Sequence, residues 1–201
     1  MPTGVAPPPT PEQAPGPPAR NGALVEACRE GRASAFEELY RDHGGRMKSV
    51  ARNLLGNASD AEDAVQEAFL KLYRGLAGFK GDSALSSWLY RILVNTCYDI
   101  GRRRKRRAEN LQPGPEADGP AFDPPAPDAD PTVRLTLERS LDRLPPLPRS
   151  VFVLFEVEGF KHREIADILG IAEGTSKHAL FAAKKELQAL ILTSRRLRRE
   201  S

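Results

Sequence analysis

Apolar residues in this chain recur every three to four positions, and no stretch alternates for long enough to call a strand. The pattern predicts an all-α protein. Phe36, Leu39, Tyr40, Met47, Val50 and Leu54 fall on one helical stripe, with Ser34 placed to cap the helix and Gly56 to end it. A second helix opens at Ser59 or Asp60, carries Ala64, Val65, Ala68, Phe69 and Leu72 inward, and stops before Gly75 and Gly78. Ser83 is placed to cap a third, running from Leu85 into a basic run. Farther on, helices are expected over about 132–143 and 149–157, separated by the breaker Leu144-Pro145-Pro146-Leu147-Pro148. Two more, about 162–169 and 173–190, are joined by Gly170-Ile171-Ala172.

Proline divides these helices into two bodies. Of 18 prolines, eight lie in residues 1–22 and seven in 108–131. Such segments hold too little apolar surface to offset chain entropy, so both read as disordered or extended. The expected organisation is a Pro-rich head (1–22), a helical body (23–107), a flexible acidic linker (108–131), a second small helical body (132–193) and a basic tail (194–201).

Net charge is only +3, but its distribution is uneven. Residues 102–107 read Arg-Arg-Arg-Lys-Arg-Arg, whereas 108–131 hold six acids and neither Lys nor Arg. A concentrated basic block points to nucleic acid, although a solvated helix end gives the same composition. Cys28 and Cys97 match no metal-binding spacing, and a reducing cytoplasm suits them. No run of about 18 apolar residues is present, so no membrane span is expected.

On the third helix, Leu85, Trp88, Leu89, Ile92, Leu93 and Ile100 project to a core side. Arg91, Asn95, Tyr98, Arg102 and Lys105 gather within roughly an 80° arc elsewhere. Cations there can meet phosphates, Tyr can stack on a base, and Asn can bond a base edge. The second helix has the opposite character. Ala61, Val65, Phe69 and Leu72 form its core stripe, while Asp60, Asp63 and Glu67 point away with Leu70 among them. A large apolar side chain on an acidic face suits a protein partner with a basic surface. Those acids lack a histidine companion and make a poor metal site; no metal or cofactor is expected.

Residues 162–190 have the pattern of a helix-turn-helix. Ala166 is small where the helices approach, Gly170 supplies the turn, and Ile165, Leu169, Ile171 and Leu180 face inward. The second helix of such a unit enters the major groove. Its outward side offers Lys177, His178, Phe181 and Lys185, flanked by Thr175 and Lys184.

Three stretches together resemble the extracytoplasmic-function class of bacterial RNA polymerase sigma factors, relatives of the primary sigma factor. They are Asp60-Ala-Glu-Asp-Ala-Val-Gln-Glu-Ala-Phe-Leu-Lys-Leu-Tyr73, Trp88-Leu-Tyr-Arg-Ile-Leu-Val-Asn95 with its basic end, and Arg163-Glu-Ile-Ala-Asp-Ile-Leu-Gly-Ile171 with Gly174-Thr175. The resemblance spans most of 23–193, in order. It implies a non-enzymatic, cytoplasmic subunit that directs polymerase to promoters. The first body would be region 2, docking on the β′ clamp helices through Asp60, Asp63, Gln66, Glu67 and Leu70. It would melt the minus-ten element with Phe79, Lys80, Arg91, Asn95, Tyr98, Arg102 and Lys105. The second would be region 4, resting on the β flap and reading the minus-thirty-five element through Thr175, Lys177, His178, Lys184 and Lys185. The linker would thread toward the active cleft, and an anti-sigma factor is an expected partner.

The recognition helix departs from the family's Gly-Thr-Val-Lys-Ser-Arg-Leu pattern. Ser176 stands at an apolar core position, and Ala179 and Ala182 stand where arginines are expected. An alternative reading is a free-standing helix-turn-helix regulator that needs no polymerase, which leaves the Leu70 face idle. A carboxylate-metal hydrolase is disfavoured by only three histidines and the lack of a nucleophile or phosphate-loop signature.

Overall fold

The computed structural model describes residues 17–79, 84–110 and 139–197, all helix or short connection, with no strand among them. Seven helices are named: α1 (Pro17–Arg29), α2 (Ala33–Leu55), α3 (Ala58–Gly75), α4 (Leu85–Asn110), α5 (Pro146–Phe152), α6 (His162–Leu169) and α7 (Glu173–Leu197). Lys80, the Ser83 cap, most of the acidic linker and most of the helix expected over 132–143 lie outside the described residues; 139–142 is helical.

Several boundaries differ from the sequence reading, each for a local reason. Helix α1 begins at Pro17, inside the segment read as disordered head. Its prolines occupy the first turn, where a missing N–H costs no helical bond. No side chain caps α2, which starts one residue before Ser34. The cap of α3 is Asn57, whose Oδ1 accepts from the Asp60 N–H at 2.7 Å, rather than Ser59 or Asp60. Helix α3 continues through Gly75 into a 3₁₀ turn, Leu76–Gly78. The proline cluster separates helical 139–142 from α5 as expected, but α5 starts earlier than 149: Pro146 and Pro148 both lie in its first turn, among N–H groups that have no helical acceptor. Helix α5 then loosens into a π-helical turn, Val153–Val157. Helix α7 runs past the expected end at 190, to Leu197.

In the first body, α2, α3 and α4 pack around Leu39, Met47, Val50, Leu72, Leu89 and Leu93, all essentially solvent-free. Ala51, Ala61, Ala64 and Ala68 are also buried, and their small side chains let the backbones approach. Gly56 ends α2 with φ +79°, a left-handed conformation that favours glycine, and its N–H bonds Arg52 O at 2.8 Å. Arg29 Nε donates to Leu76 O at 3.2 Å and ties α1 to the turn after α3.

The second body packs α5 and α6 on α7, with Leu141, Leu144, Ala183 and Leu187 forming a small separate cluster. It also lies directly on the first. Helix α6 packs on α4, and Val151, Val153, Leu154, Ile165, Ile168 and Leu180 join the core cluster that contains Leu89 and Leu93. Tyr90 and Phe160 meet edge to face at 4.9 Å across this junction.

Candidate nucleic-acid and partner interfaces

The acidic face of α3 is divided by its partners. Asp63 and Gln66 are exposed, and Leu70 is 55% exposed. Asp60 and Glu67 are half-buried and engaged by the basic end of α4. Arg104 Nη1 lies 3.2 Å from Asp60 Oδ2, and Arg103 Nη2 3.5 Å from Glu67 Oε1. Lys71 Nζ is 2.9 Å from the same Glu67 oxygen, and its hydrogen bond is the main reason this carboxyl sits below its ordinary pKa. Part of the basic run thus serves the fold rather than solvent.

Beside Leu70 lies an aromatic ladder that the sequence reading passed over as a surface. Phe36 meets Tyr73 and Tyr40 meets Phe69, each with ring centroids 5.1 Å apart, and both tyrosines are mostly exposed. The four-residue spacings Phe36/Tyr40 and Phe69/Tyr73 were its available signal, since such positions adjoin on a helix face.

The α4 arc comes out unevenly. Asn95, Arg102 and Lys105 are exposed. Arg91 is exposed but donates through Nη2 to Asp167 O at the end of α6. Tyr98 is half-buried, its hydroxyl 2.8 Å from Ser150 Oγ, and burial raises its pKa. The expected open face is therefore partly covered by the second body. Phe79 is half-buried and stacked on Trp88 at 4.7 Å, with its carbonyl accepting from Arg29 Nη2. It is a packed residue more than a free wedge.

The recognition helix carries its side chains as the helical projection implies, with two differences. Thr175, Lys177, His178, Lys184 and Lys185 are all exposed, and Phe181 is 69% exposed among them. Lys177 pairs with Glu173 at 2.7 Å, which holds the Glu173 carboxyl below its ordinary pKa. Lys184 pairs with Glu156 at 2.7 Å and lies over the Phe155 ring. Ala179 is buried, so this position does not face a groove; the sequence reading of it as a missing base-contacting arginine is corrected. Ser176 is fully buried and satisfied, its Oγ 2.9 Å from His162 Nδ1, and His162 in turn stacks on Phe155 at 4.6 Å. A polar residue at this interior position is thus explained by a partner on α6.

Between the bodies lies a cavity of about 630 Å³, floored by Leu54, Leu55 and Cys97 and edged by Arg102, Arg104 and Lys105. Burial lifts the Cys97 thiol to about 12. Among the described residues no group of three or more His, Cys, Asp or Glu side chains is placed to hold a metal ion. No described helix is long and apolar enough to cross a membrane.

Comparison with known proteins bears on both bodies. Residues 39–107 match the family Sigma-70 region 2, and residues 134–187 match Sigma-70, region 4. The ECF RNA polymerase sigma factor SigM of Mycobacterium tuberculosis (strain ATCC 35801 / TMC 107 / Erdman) is 35% identical over 175 residues, 85% of this chain and 84% of that one. The ECF RNA polymerase sigma-E factor of Escherichia coli K12 is 32% identical over 174 residues, 82% and 90% of the two chains. Among solved structures, CnrH in complex with the cytosolic domain of CnrY superposes with TM-score 0.66 at 25% identity, covering 86% of this chain and 97% of that one. The sigma factor RpoE of Bartonella quintana, in complex with the anti-sigma factor NepR, gives TM-score 0.64 at 26% identity over 78% and 96%. Since the matches span region 2 as well as region 4, the free-standing regulator is set aside. A helical body with an acidic, Leu70-bearing face, followed by a helix-turn-helix with a basic outer side, belongs to the ECF class of RNA polymerase sigma factors, and this chain directs transcription initiation.

Proposed function

We propose that this sigma factor holds core RNA polymerase through the exposed part of α3, opens the minus-ten element with α4, and reads the minus-thirty-five element with α7. The observation that carries this reading is Leu70, an exposed apolar side chain between Asp63, Gln66 and the paired Glu67. Nothing in the fold of α3 requires a leucine there, and a basic protein surface with an apolar spot complements it. The β′ clamp helices fit that description for region 2, with Tyr40 and Tyr73 extending the apolar part of the contact. The β flap is the corresponding seat for region 4.

On DNA, Arg102 and Lys105 position the phosphates and Asn95 reaches base edges, with Tyr98 available to stack once uncovered. Thr175, Lys177 and His178 lie near the start of α7, the part of a recognition helix nearest the bases. Lys184 and Lys185, farther along, serve the backbone. Catalysis belongs to the polymerase, so the chain acts as a non-enzymatic, cytoplasmic subunit. By analogy with RpoE bound to NepR, an anti-sigma factor is its expected regulator.

Asp63→Lys combined with Leu70→Ala should weaken binding to core polymerase by roughly 1–3 kcal/mol, the scale of a lost charged contact. Both positions are exposed, so the fold should survive. Titration of labelled protein against core polymerase measures it; unchanged affinity in the double variant overturns the assignment.

A further inference from the structure

The outward side of α7 carries one large apolar side chain in an unusual setting. Phe181 is 69% exposed and projects roughly 145° around the helix from the middle of the buried stripe that includes Ser176, Ala179, Ala183 and Leu187. No ring pair among the described residues includes it. Its neighbours one turn away are Lys177 and His178 on one side and Lys184 and Lys185 on the other, all exposed. A single exposed apolar residue needs no explanation; one in the middle of a basic face restricts what can cover it. A lipid or an apolar protein surface laid on Phe181 would bury those cations without partners, at high cost. A nucleic acid covers the same face differently, with phosphates against the cations and a base edge against the ring. The rest of the helix leaves base reading short of its commonest device. From Glu173 to Ser194 there is no arginine, the side chain that pairs with guanine bidentately in the major groove. Lys177 and Lys184 are paired with Glu173 and Glu156, at 2.7 Å each.

We propose that Phe181 is a specificity-determining residue whose ligand is the C5-methyl group of a pyrimidine in the upstream element, that of thymine or of 5-methylcytosine. The inference rests on the reading of α7 as the helix that enters the major groove. There thymine presents its methyl group as the apolar mark of its base pair, and phenylalanine is among the side chains that pack on it. 5-Methylcytosine carries the same group on the same ring carbon, so this contact serves either base. Helical side chains lean toward the N-terminus, which carries the Phe181 ring back over the His178 turn, toward the part of the helix nearest the bases. Ala182, small and half-buried, leaves room beside the ring that an arginine would fill. The contact works by excluding water and involves no hydrogen bond. A base without the methyl therefore leaves no polar group stranded and forfeits only the burial, about fourfold in affinity for one methyl group.

The test uses holoenzyme reconstituted with the full chain and duplex promoters whose upstream element has been selected from a randomised pool. Each upstream thymine is replaced in turn by deoxyuracil, which removes the methyl and keeps the hydrogen-bonding edge. At one position or more the wild-type holoenzyme should lose about fourfold in affinity. Phe181→Ala should bind the thymine and deoxyuracil duplexes alike, whereas Phe181→Leu, still apolar, should keep part of the difference. Each upstream cytosine is likewise replaced by 5-methylcytosine, where a gain of the same size, lost in Phe181→Ala, is expected at a position the ring reaches. A response to deoxyuracil alone names thymine as the source of the methyl; a response to 5-methylcytosine alone names the modified base. Wild type indifferent to both replacements overturns the proposal. So does a Phe181→Ala defect that is equal with and without the methyl, which would assign the ring to a protein contact. A selection that yields no upstream consensus at all removes the reading of α7 and this proposal with it. A clear consensus that ignores the methyl removes the proposal and leaves that reading standing.

Discussion

Helices α4 and α7 have similar lengths and both carry a basic side, yet their surroundings are opposite. Helix α4 is enclosed: α3 covers one side, α2 another and α6 a third. Leu89, Tyr90, Leu93, Val94, Thr96 and Cys97 are all buried, leaving little of its middle turns open except Arg91 and Asn95. Among its described side chains, helix α7 buries a narrow stripe, Ser176, Ala179, Leu180, Ala183 and Leu187, and leaves most of the others exposed. The contrast teaches that a basic helix face is not by itself an open face. On α7 the basic side chains stay exposed even where they are paired, Lys177 with Glu173 and Lys184 with Glu156. On α4, several cations are already spoken for, by Glu67, Asp60 and the Asp167 carbonyl.

Three measurements would break or sharpen this contrast. The largest effect should come from the enclosed helix. Leu89→Ala should cost about 2–5 kcal/mol, because the cavity lies where helices meet and cannot collapse freely. Phe181→Ala, an exposed site on α7, should stay within about 0.5 kcal/mol. Urea denaturation of the two variants compares them, and similar midpoints would abolish the distinction. Next in size is reading of the upstream element. His178→Ala and Thr175→Ala should each cost about 1–3 kcal/mol at particular base pairs. Lys185→Ala should instead weaken all sequences alike and reduce the salt slope by about 1. Promoter selection from a randomised upstream pool by the reconstituted holoenzyme checks both; a consensus unmoved by His178→Ala and Thr175→Ala places specificity elsewhere. The smallest effect concerns pH. Burial holds the His43 imidazole below its ordinary pKa of 6.5, with Asp42 opposing. The unfolded chain therefore binds the proton more readily, and stability should decline as pH falls through that value. Urea midpoints at about pH 7.5 and pH 6, above the carboxylate range, should differ less in His43→Gln than in wild type.

The all-α class and the core stripes of α3, α6 and α7 were legible because helical period alone specifies them. Val65, Leu72, Ile165 and Leu180 are buried as that period requires. What escaped reading depended on neighbours distant in sequence. The cap at Asn57 lost to Ser59 on pattern, although its geometry with Asp60 decides the start of α3. Tyr90 and Cys97 lie off the main stripe of α4; Tyr90 is buried against Phe160 and Glu158 of the second body, and Cys97 belongs to the core cluster that both bodies share. Ser176 read as a defect because its partner, His162, is on another helix. Among the site residues, Asp63, Gln66, Leu70 and the α7 set stand on the surface as their spacing implied. Asp60, Glu67, Arg91 and Tyr98 are engaged by groups that no local pattern reveals.

Gly56 has a further consequence, in evolutionary terms. Beyond its left-handed backbone, it faces the second body: a Cβ at this position would lie 2.8 Å from Asp142 Oδ1. Glycine codons lead by one base to alanine, serine, valine or aspartate, and each adds that Cβ. Aspartate would add a charge facing Asp142 as well. One nucleotide thus suffices to press on the Asp142 carboxylate and its pairing with Arg149 at the junction of the two bodies, with neither DNA-reading helix altered.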